Sequence, residues 1–176
     1  MNAVTEKPPI VEIPTTLGAP FAGGFYMGRV FVGTAAFALV VAPKTEGEHD
    51  EAPWNESKAA VAGANSYFDG LANTDAMVAA GSELAKWARG LRIGDHDDWH
   101  LPSRQDLLVI NGNEADAGEA FQEDGAEAFE REWYWSSTQL ASDPAYAWVQ
   151  SFDYGGQYDD WKGSSYRARA VRRVPI

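Results

Sequence analysis

Cysteine is absent from this sequence. Its absence excludes a disulfide framework, a thiolate nucleophile and a cysteine-ligated metal. Basic residues are also scarce, since 14 lysines and arginines face 26 aspartates and glutamates and leave a net charge of −12. This charge repels phosphate backbones and anionic membrane surfaces. We therefore expect no nucleic-acid partner, and the charge serves either solubility or the attraction of a cationic ligand.

Long apolar runs are missing as well. No window reaches the roughly eighteen uninterrupted apolar residues of a membrane helix. The first residues, MNAVTEKPPIVEIP, have neither the basic nor the apolar region of a signal peptide. We expect no signal peptide and no membrane insertion. With 176 residues, 45% of them apolar, and with 17 glycines and 9 prolines, the chain predicts one loop-rich globular domain.

Prolines set the beginning of the chain apart. They are Pro8, Pro9, Pro14 and Pro20. Because proline prevents regular helix and removes ladder donors, residues 1–20 are predicted to form an extended arm that orders against another copy or another protein. The globular domain is predicted over residues 21–176. It begins with a β-hairpin over residues 23–43, where large apolar side chains alternate around a Val-Gly-Thr turn at residues 32–34.

Helical periodicity follows the hairpin. One helix is predicted over residues 54–71 and a second over residues 74–91. Thr74 or Ser82 is expected to cap the second helix, and Gly81 is its weak point.

A third helix and several strands complete the predicted fold. Ser103 and Asp106 form a capping-box pattern that starts a short helix. The acidic residues 114–132 predict an irregular loop with one helical turn. Short strands are predicted at residues 133–138, 145–152 and 167–174. The fold class is α+β, with two or three helices against a mainly antiparallel sheet.

Three motifs together carry a family resemblance. They are DWHLPSRQDLLVI (98–110), WYWSST with AWVQSF (133–138 and 147–152), and RARAVRRV (167–174). In this order and spacing they resemble the C-terminal domain of the collagen-like adhesins, a C-type-lectin-like fold distantly related to the formylglycine-generating sulfatase modifiers. The N-terminal hairpin also looks like the lead-in hairpin of phage-encoded members.

The resemblance carries expectations of its own. It implies that the first and last strands pair and that a long irregular segment between the later strands displays a binding surface. It implies virion or cell-surface adhesion more than catalysis. The sulfatase modifiers work through cysteines, which this chain lacks, so their activity is not expected here.

The arginine-rich tail predicts a closing strand. Ala168, Ala170 and neighbouring apolar groups are expected to point inward, while Arg167 and Arg169 point outward and fork onto carboxylates. This outward face is either a solvated surface or an anion-binding one. The strand-like alternation of tryptophans favours the core for three of them. They are Trp133, Trp135 and Trp148.

Aromatic residues interspersed with small polar ones mark the candidate site. The predicted ligand-binding residues are Tyr154, Gln157, Tyr158, Asp159, Asp160, Trp161 and Tyr166. Tyrosine and tryptophan give large contact areas at small entropic cost, and Gly, Ser and Asp supply adaptable hydrogen bonds, as in evolved binding loops. Aromatic faces also stack on sugars while Asp and Gln bind hydroxyls. Alternatively, these rings only pin a glycine-rich loop onto the sheet.

Metal and catalytic motifs are weak. The run GDHDDWH places His96 and His100 among carboxylates, but no HExxH pattern accompanies it, and we expect no metal and no cofactor there. Calcium stays open because carboxylates are plentiful, although the Glu-Pro-Asn and Trp-Asn-Asp triplets of calcium-dependent lectins are missing. No GxSxG elbow is present and nothing indicates a paired-carboxylate site, so no catalytic residue is predicted.

The leading functional hypothesis is a non-enzymatic phage virion surface protein in a head or tail fibre. Its segment 153–166 contacts a host receptor or glycan, and its arm attaches to other virion proteins. A homo-oligomer, preferably a trimer, is expected because several weak contacts then add. One alternative is a decoration or adaptor protein that contacts neighbouring virion subunits. A remoter alternative is an enzyme on the same scaffold, such as a depolymerase.

Overall fold

The computed structural model describes residues 12–176, and within this range it has nine strands and four short helices. The strands are β1 (Pro20–Phe21), β2 (Gly24–Val32), β3 (Ala35–Val41), β4 (Glu48–Pro53), β5 (Trp133–Gln139), β6 (Tyr146–Ser151), β7 (Gln157–Trp161), β8 (Ser165–Arg169) and β9 (Val171–Pro175). The helices are α1 (Lys44–Gly47), α2 (Gly70–Ala79), α3 (Glu83–Gly90) and α4 (Arg104–Asn113). The α+β prediction is confirmed.

Two sheets share the strands. The first has the order β1-β2-β3-β9 and the second the order β4-β8-β5-β6-β7. All neighbours are antiparallel except β5 and β8, which are parallel. None of the helices between residues 12 and 176 has the length and apolar content needed to cross a bilayer.

The predicted hairpin is present as β2 and β3. A two-residue turn connects the paired residues Val32 and Ala35. Its first residue, Gly33, has a φ of 60°, and a positive φ is what the first position of a type II′ turn requires. The strand β3 then pairs with β9 from Phe37 to Val41. The expectation that the first and last strands pair is wrong: the last strand, β9, pairs with β3, while the first strand, β1, pairs with β2 alone, because the hairpin lies between them in the sheet.

Most of the predicted proline-rich arm, residues 1–11 of 1–20, lies outside the described residues. Its last part belongs to the folded domain, since Leu17 packs against a core cluster and Pro20 starts β1.

The prediction of a helix over residues 54–71 is wrong. The segment is irregular up to Asp69, which caps α2 by accepting a hydrogen bond from the backbone of the first turn. Polar side chains hold this irregular path, because Asn73 accepts from the Ser66 backbone N–H at 2.9 Å and donates to its carbonyl at 2.7 Å. Side-chain to backbone bonds of this kind compete with helical ones.

The helix predicted over residues 74–91 is two helices. The helical structure is interrupted between α2 and α3 at Gly81, whose φ is 87°, and Ser82 caps α3. Gly81 as the weak point and Ser82 as a cap are thus confirmed. Thr74 is no cap, because it lies within α2 and its hydroxyl donates to the carbonyl of Gly70 at 2.6 Å.

The capping box of α4 is confirmed. The Ser103 hydroxyl accepts from the backbone N–H of Asp106, and the Asp106 carboxylate accepts from the backbone N–H of Ser103. After α4, the predicted irregular loop over residues 114–132 contains two short 3-10 turns rather than one helical turn. It contributes Phe121 to the core around Leu107.

The tail predicted as one strand is two. It breaks at Ala170, so that β8 joins the second sheet and β9 the first. The prediction that Arg169 points outward is wrong, since this residue is 1% exposed, and Arg172 in β9 is also buried, at 8%. Arg172 does fork onto a carboxylate, donating to both oxygens of Asp98 at 2.7 and 3.0 Å.

Arg169 is buried where the two sheets meet. Its Nε donates to the carbonyl of Ala42 at 2.9 Å, and its Nη1 donates to the carbonyl of Glu127 at 2.6 Å. Its Nη2 pairs with the Glu127 carboxylate, and the ring of Phe129 lies 4.8 Å from the guanidinium carbon. Glu48 lies 3.8 Å away, and burial raises the pKa of this carboxyl. These partners explain why a charged group is tolerated inside the protein.

Replacing Arg169 tests this junction. Arg169→Met removes the charge partner of the Glu127 carboxylate, which keeps only the backbone N–H of Lys44, and the donor to two carbonyls, so we expect a loss of about 3 kcal/mol or more in the free energy of unfolding. Arg29→Met removes an exposed arginine of β2 and is the control, with a change within about 0.5 kcal/mol. Urea titrations of the three proteins measure both values. A loss in Arg169→Met no larger than in the control contradicts the assignment.

Candidate functional site

The seven predicted site residues lie on β7, on the turn before it and on β8. The strand β7 is the edge of the second sheet and pairs with β6 from Gln157 to Trp161. The segment predicted to be irregular therefore contains a regular strand. Because successive side chains of a strand point to opposite faces, the predicted residues divide between two surfaces.

One face of β7 carries Tyr158 and Asp160. Tyr158 meets Trp133 edge to face with ring centroids 5.6 Å apart. The Asp160 carboxylate accepts a hydrogen bond from the hydroxyl of Tyr166. Tyr166 in turn packs edge to face on the buried Trp135 at 5.0 Å. The structure thus brings these predicted residues together on one side of the sheet.

A cleft of about 300 Å³ opens beside these residues. We call it the aromatic cleft. It is lined by Glu51, Arg131, Glu132, Trp133, Ser151, Asp153, Tyr154, Ser165 and Tyr166. Its lining comes from β4, β5, β6 and β8 and from the turns beside them, so the sheet fixes the positions of its rings.

The rings around the cleft differ in exposure. Tyr154 is 81% exposed and Tyr158 64%. Tyr166 is half-buried and packs against the second core cluster, together with Trp133. Pinning a loop onto the sheet therefore describes Tyr166, whereas Tyr154 and Tyr158 present their rings to solvent. The core prediction is confirmed for Trp135 and is wrong for Trp133, which is only half-buried.

Acidic groups dominate the charge of the cleft. Arg131 is held by the Glu114 carboxylate at 3.0 Å and by the Phe152 carbonyl at 2.8 Å. Glu132 accepts from Arg167 at 2.7 Å. The other two carboxylates of the lining, Glu51 and Asp153, are exposed and have no ion pair within residues 12–176. The cleft therefore combines exposed rings with two uncompensated negative charges.

The opposite face of β7 carries Gln157, Asp159 and Trp161. Gln157 accepts a hydrogen bond from Nε of Arg104 at 3.0 Å and donates to the Arg104 carbonyl at 2.9 Å. This pair of bonds fastens β7 to the start of α4, so Gln157 has a structural role. Trp161 is 40% exposed, and the ammonium of Lys58 lies 4.7 Å from its ring centroid.

Arg104 stacks between two rings on this opposite face. Its guanidinium carbon lies 3.4 Å from the ring centroid of Trp148 and 5.1 Å from that of Tyr67. Burial lowers the pKa of Arg104, while Tyr67 and Asp159 oppose that effect. Trp148 is half-buried rather than a core residue, because its ring supports this guanidinium. The core prediction is wrong for Trp148 as well.

Sequence reasoning missed a buried lysine that anchors the connection between β7 and β8. Lys162 is fully buried, and its Nζ donates to Gln139 Oε1 at 2.6 Å and to the carbonyl of Ala59 at 3.1 Å. The ring centroid of Trp54 lies 4.5 Å from the same nitrogen. Desolvation lowers the pKa of Lys162 to about 8. A Trp-Lys-Gly turn reads as exposed, and its partners are distant in sequence, so no local pattern marks this residue.

The histidine and aspartate run forms no metal centre. His100 is buried, its ring bonds through Nδ1 to the Asp98 carbonyl at 3.0 Å, and desolvation lowers its pKa to about 4. The Asp98 carboxylate is occupied by Arg172. Across residues 12–176, no group of three histidine, aspartate or glutamate side chains is arranged to hold a metal ion.

Comparison with known proteins gives a family match. The family model of the Lcl C-terminal domain matches residues 42–172, which is more than half of the 176 residues. A search of curated proteins found no match. The matched region runs from the end of β3 into β9 and includes both faces of β7, whereas the hairpin strand β2 precedes it.

The buried lysine predicts a pH dependence of stability. The folded-state pKa of about 8 lies below the ordinary value of 10.5. Below pH 8 Lys162 is protonated in both the folded and the unfolded state. Folding then bears the full cost of burying its charge. Above this pH the folded protein releases a proton that the unfolded chain keeps, so stability rises with pH until the ordinary value is passed. We expect the difference in unfolding free energy between wild type and Lys162→Met to rise by about 1 kcal/mol from pH 7 to 9.

Urea titrations at pH 7, 8 and 9 measure this difference. Lys86→Met serves as the matched control, because that side chain is 46% exposed and its difference from wild type is expected to stay constant. If the difference in unfolding free energy between wild type and Lys162→Met also stays constant with pH, burial does not lower the pKa of this lysine.

Proposed function

Because the chain belongs to the Lcl C-terminal domain family and carries an adhesin-like domain, we propose that it is a non-enzymatic adhesion protein that binds a glycan through the aromatic cleft. The observation that carries this proposal is a pair of exposed rings at the cleft: Tyr154 lines it, and Tyr158 lies beside it against the lining residue Trp133. The receptor is a glycan on the surface of a host cell.

The chemistry of the cleft suits a sugar. Aromatic faces stack on the apolar faces of pyranose rings, and the exposed tyrosines supply such faces without further rearrangement. The exposed Ser165 supplies a hydroxyl, and Glu51 and Asp153 supply acceptors for sugar hydroxyls. The volume of about 300 Å³ is at the lower end of the range for small-ligand sites, so the cleft suits one or two sugar units of a longer chain.

The setting of the domain is part of the proposal. We place it on the surface of a phage virion, in a head or tail fibre, because its hairpin resembles the lead-in hairpin of phage-encoded members. The N-terminal arm attaches it to other virion proteins. A homotrimer gives three clefts, and weak sugar binding at each then adds through effective concentration.

No cofactor is part of the proposed binding. The rings, hydroxyls and carboxylates of the cleft supply the contacts, and we propose that Ca²⁺ is not needed for them. Glycan binding that is unchanged in EDTA agrees with this assignment. Loss of binding in EDTA would instead indicate that a bound Ca²⁺ takes part.

One observation favours a second candidate, a decoration or adaptor protein. The outer edge of β7 has no neighbouring strand within residues 12–176, and exposed edges of this kind pair with strands of other chains. In that case a neighbouring virion subunit would cover Tyr158 and Trp161. A structure of the assembled particle separates the two candidates, because a receptor site must stay uncovered.

A glycan array with matched variants tests the proposed function. Tyr154→Ala and Tyr158→Ala are each expected to weaken binding by about ten-fold or more, since each removes a stacking face worth about 1.4 kcal/mol. Trp161→Ala is the control, because it removes an exposed ring from the same strand on its opposite face. Thermal melting confirms folding of each variant. Equal glycan binding by wild type and the three variants would show that the cleft takes no part in adhesion.

A further inference from the structure

We infer that the aromatic cleft selects glycans with free amino groups, such as glucosamine oligomers, over N-acetylated and anionic ones. This inference rests on the proposed function and names the ligand class of the same site. It follows from three features of the cleft: the unpaired carboxylates, the unoccupied ring faces and the engaged arginine.

The carboxylates are the first feature. Glu51 comes from β4 and Asp153 from the turn before β7, so they reach the cleft from different elements. Neither has an ion pair within the described residues, whereas Glu132 is held by Arg167. An ammonium group bound in the cleft would meet two carboxylates that no protein cation compensates, and the net charge of −12 adds a favourable field.

The ring faces are the second feature. Elsewhere in residues 12–176, the chain places its own cations over aromatic rings. The ring and cation pairs are Trp161 with Lys58, Tyr67 and Trp148 with Arg104, Trp54 with Lys162, Phe121 and Phe129 with Arg169, and Trp99 with Arg172. The rings at the cleft, Trp133, Tyr154, Tyr158 and Tyr166, have no such partner in that range. Of these rings, Tyr154 and Tyr158 are the exposed ones, and their faces are open to a cation that the ligand brings.

The engaged arginine is the third feature. Arg131 is the one basic residue in the cleft lining; its Nη1 donates to the Glu114 carboxylate and to the Phe152 carbonyl, so its charge is already balanced by Glu114. A sulfated or carboxylated glycan would therefore meet the unpaired carboxylates of Glu51 and Asp153 and a single arginine whose charge the Glu114 carboxylate already balances. An N-acetylated sugar stacks on the same rings but lacks the charge, so it binds more weakly than the free amine.

Titration calorimetry with two sugar tetramers tests this selectivity. The tetramers of glucosamine and of N-acetylglucosamine share rings and linkages and differ in the amine. At about pH 6, where amines of this kind are protonated and carboxylates ionised, we expect the glucosamine tetramer to bind at least ten-fold more tightly. Its affinity is expected to fall as salt is raised, because exposed charges are screened.

Variants and further probes make the outcomes decisive. Glu51→Gln combined with Asp153→Asn is expected to abolish the preference for the amine and to keep the weaker binding of the acetylated tetramer. Asp97→Asn removes an exposed carboxylate outside the cleft and is expected to leave the preference intact. A heparin tetramer is expected not to bind, and tetralysine is expected to bind more weakly than the amino sugar, since it lacks sugar rings to stack.

The outcomes separate the two proposals. Equal affinity for both sugar tetramers, or a preference for the acetylated one or for heparin, would overturn the amine selectivity and leave the glycan-binding function standing. Tighter binding of tetralysine than of glucosamine tetramer would overturn the glycan class. Absence of binding to either sugar tetramer and to every glycan of the array would overturn both.

Discussion

The buried guanidinium of Arg169 is the constraint on which the two-sheet arrangement depends. It lies at the end of β8, one residue before the chain passes into the other sheet. Its hydrogen bonds reach the carbonyl of Ala42 after β3 and the Glu127 side chain in the irregular segment. One charged group therefore joins a sheet junction, a hairpin end and a long loop. A charge in this place is stable only while all its acceptors stay in position.

The candidate site inherits its order from this frame. Both β8 and β4 supply cleft residues, and both contact the Arg169 cluster, through Arg169 itself and through Glu48. On the other side of β7, the paired bonds between Gln157 and Arg104 fix the edge strand to α4. Tyr158 lies on a strand and Tyr154 on a turn. The contacts that hold this strand and this turn in place lie away from the candidate ligand surface. Rings prearranged in this way lose little entropy when they bind.

Much of the fold could be predicted from the sequence where local chemistry decides the structure. The hairpin turn at Gly33 and the capping box of Ser103 and Asp106 are local signals, and both are confirmed. The helix predicted over residues 54–71 is absent because Asn73 holds an irregular path there: it bonds to the backbone of Ser66 and is itself fixed by Ser137 and Thr138, which apolar spacing does not reveal. Burial of Arg169 was missed for the same reason, since its partners are 42 and 127 residues away.

The site shows the same division between local and distant information. The aromatic composition of residues 153–166 predicted a ligand surface there, and within this segment Tyr154 and Tyr158 are exposed. The regular strand within it was not expected, and it places Gln157 and Trp161 on the other face from Tyr158. Glu51 could not be found from sequence, because it enters the cleft only through the pairing of β4 with β8.

The edge position of β7 has an evolutionary consequence. A strand bonded on one side, with two exposed rings in and beside it, can exchange those side chains without disturbing the packed interior. Substitutions at Tyr154 or Tyr158 alter the exposed surface and cost the fold little, because stability is set elsewhere. Such an architecture lets a lineage vary the chemistry of this surface at a few positions while the scaffold persists.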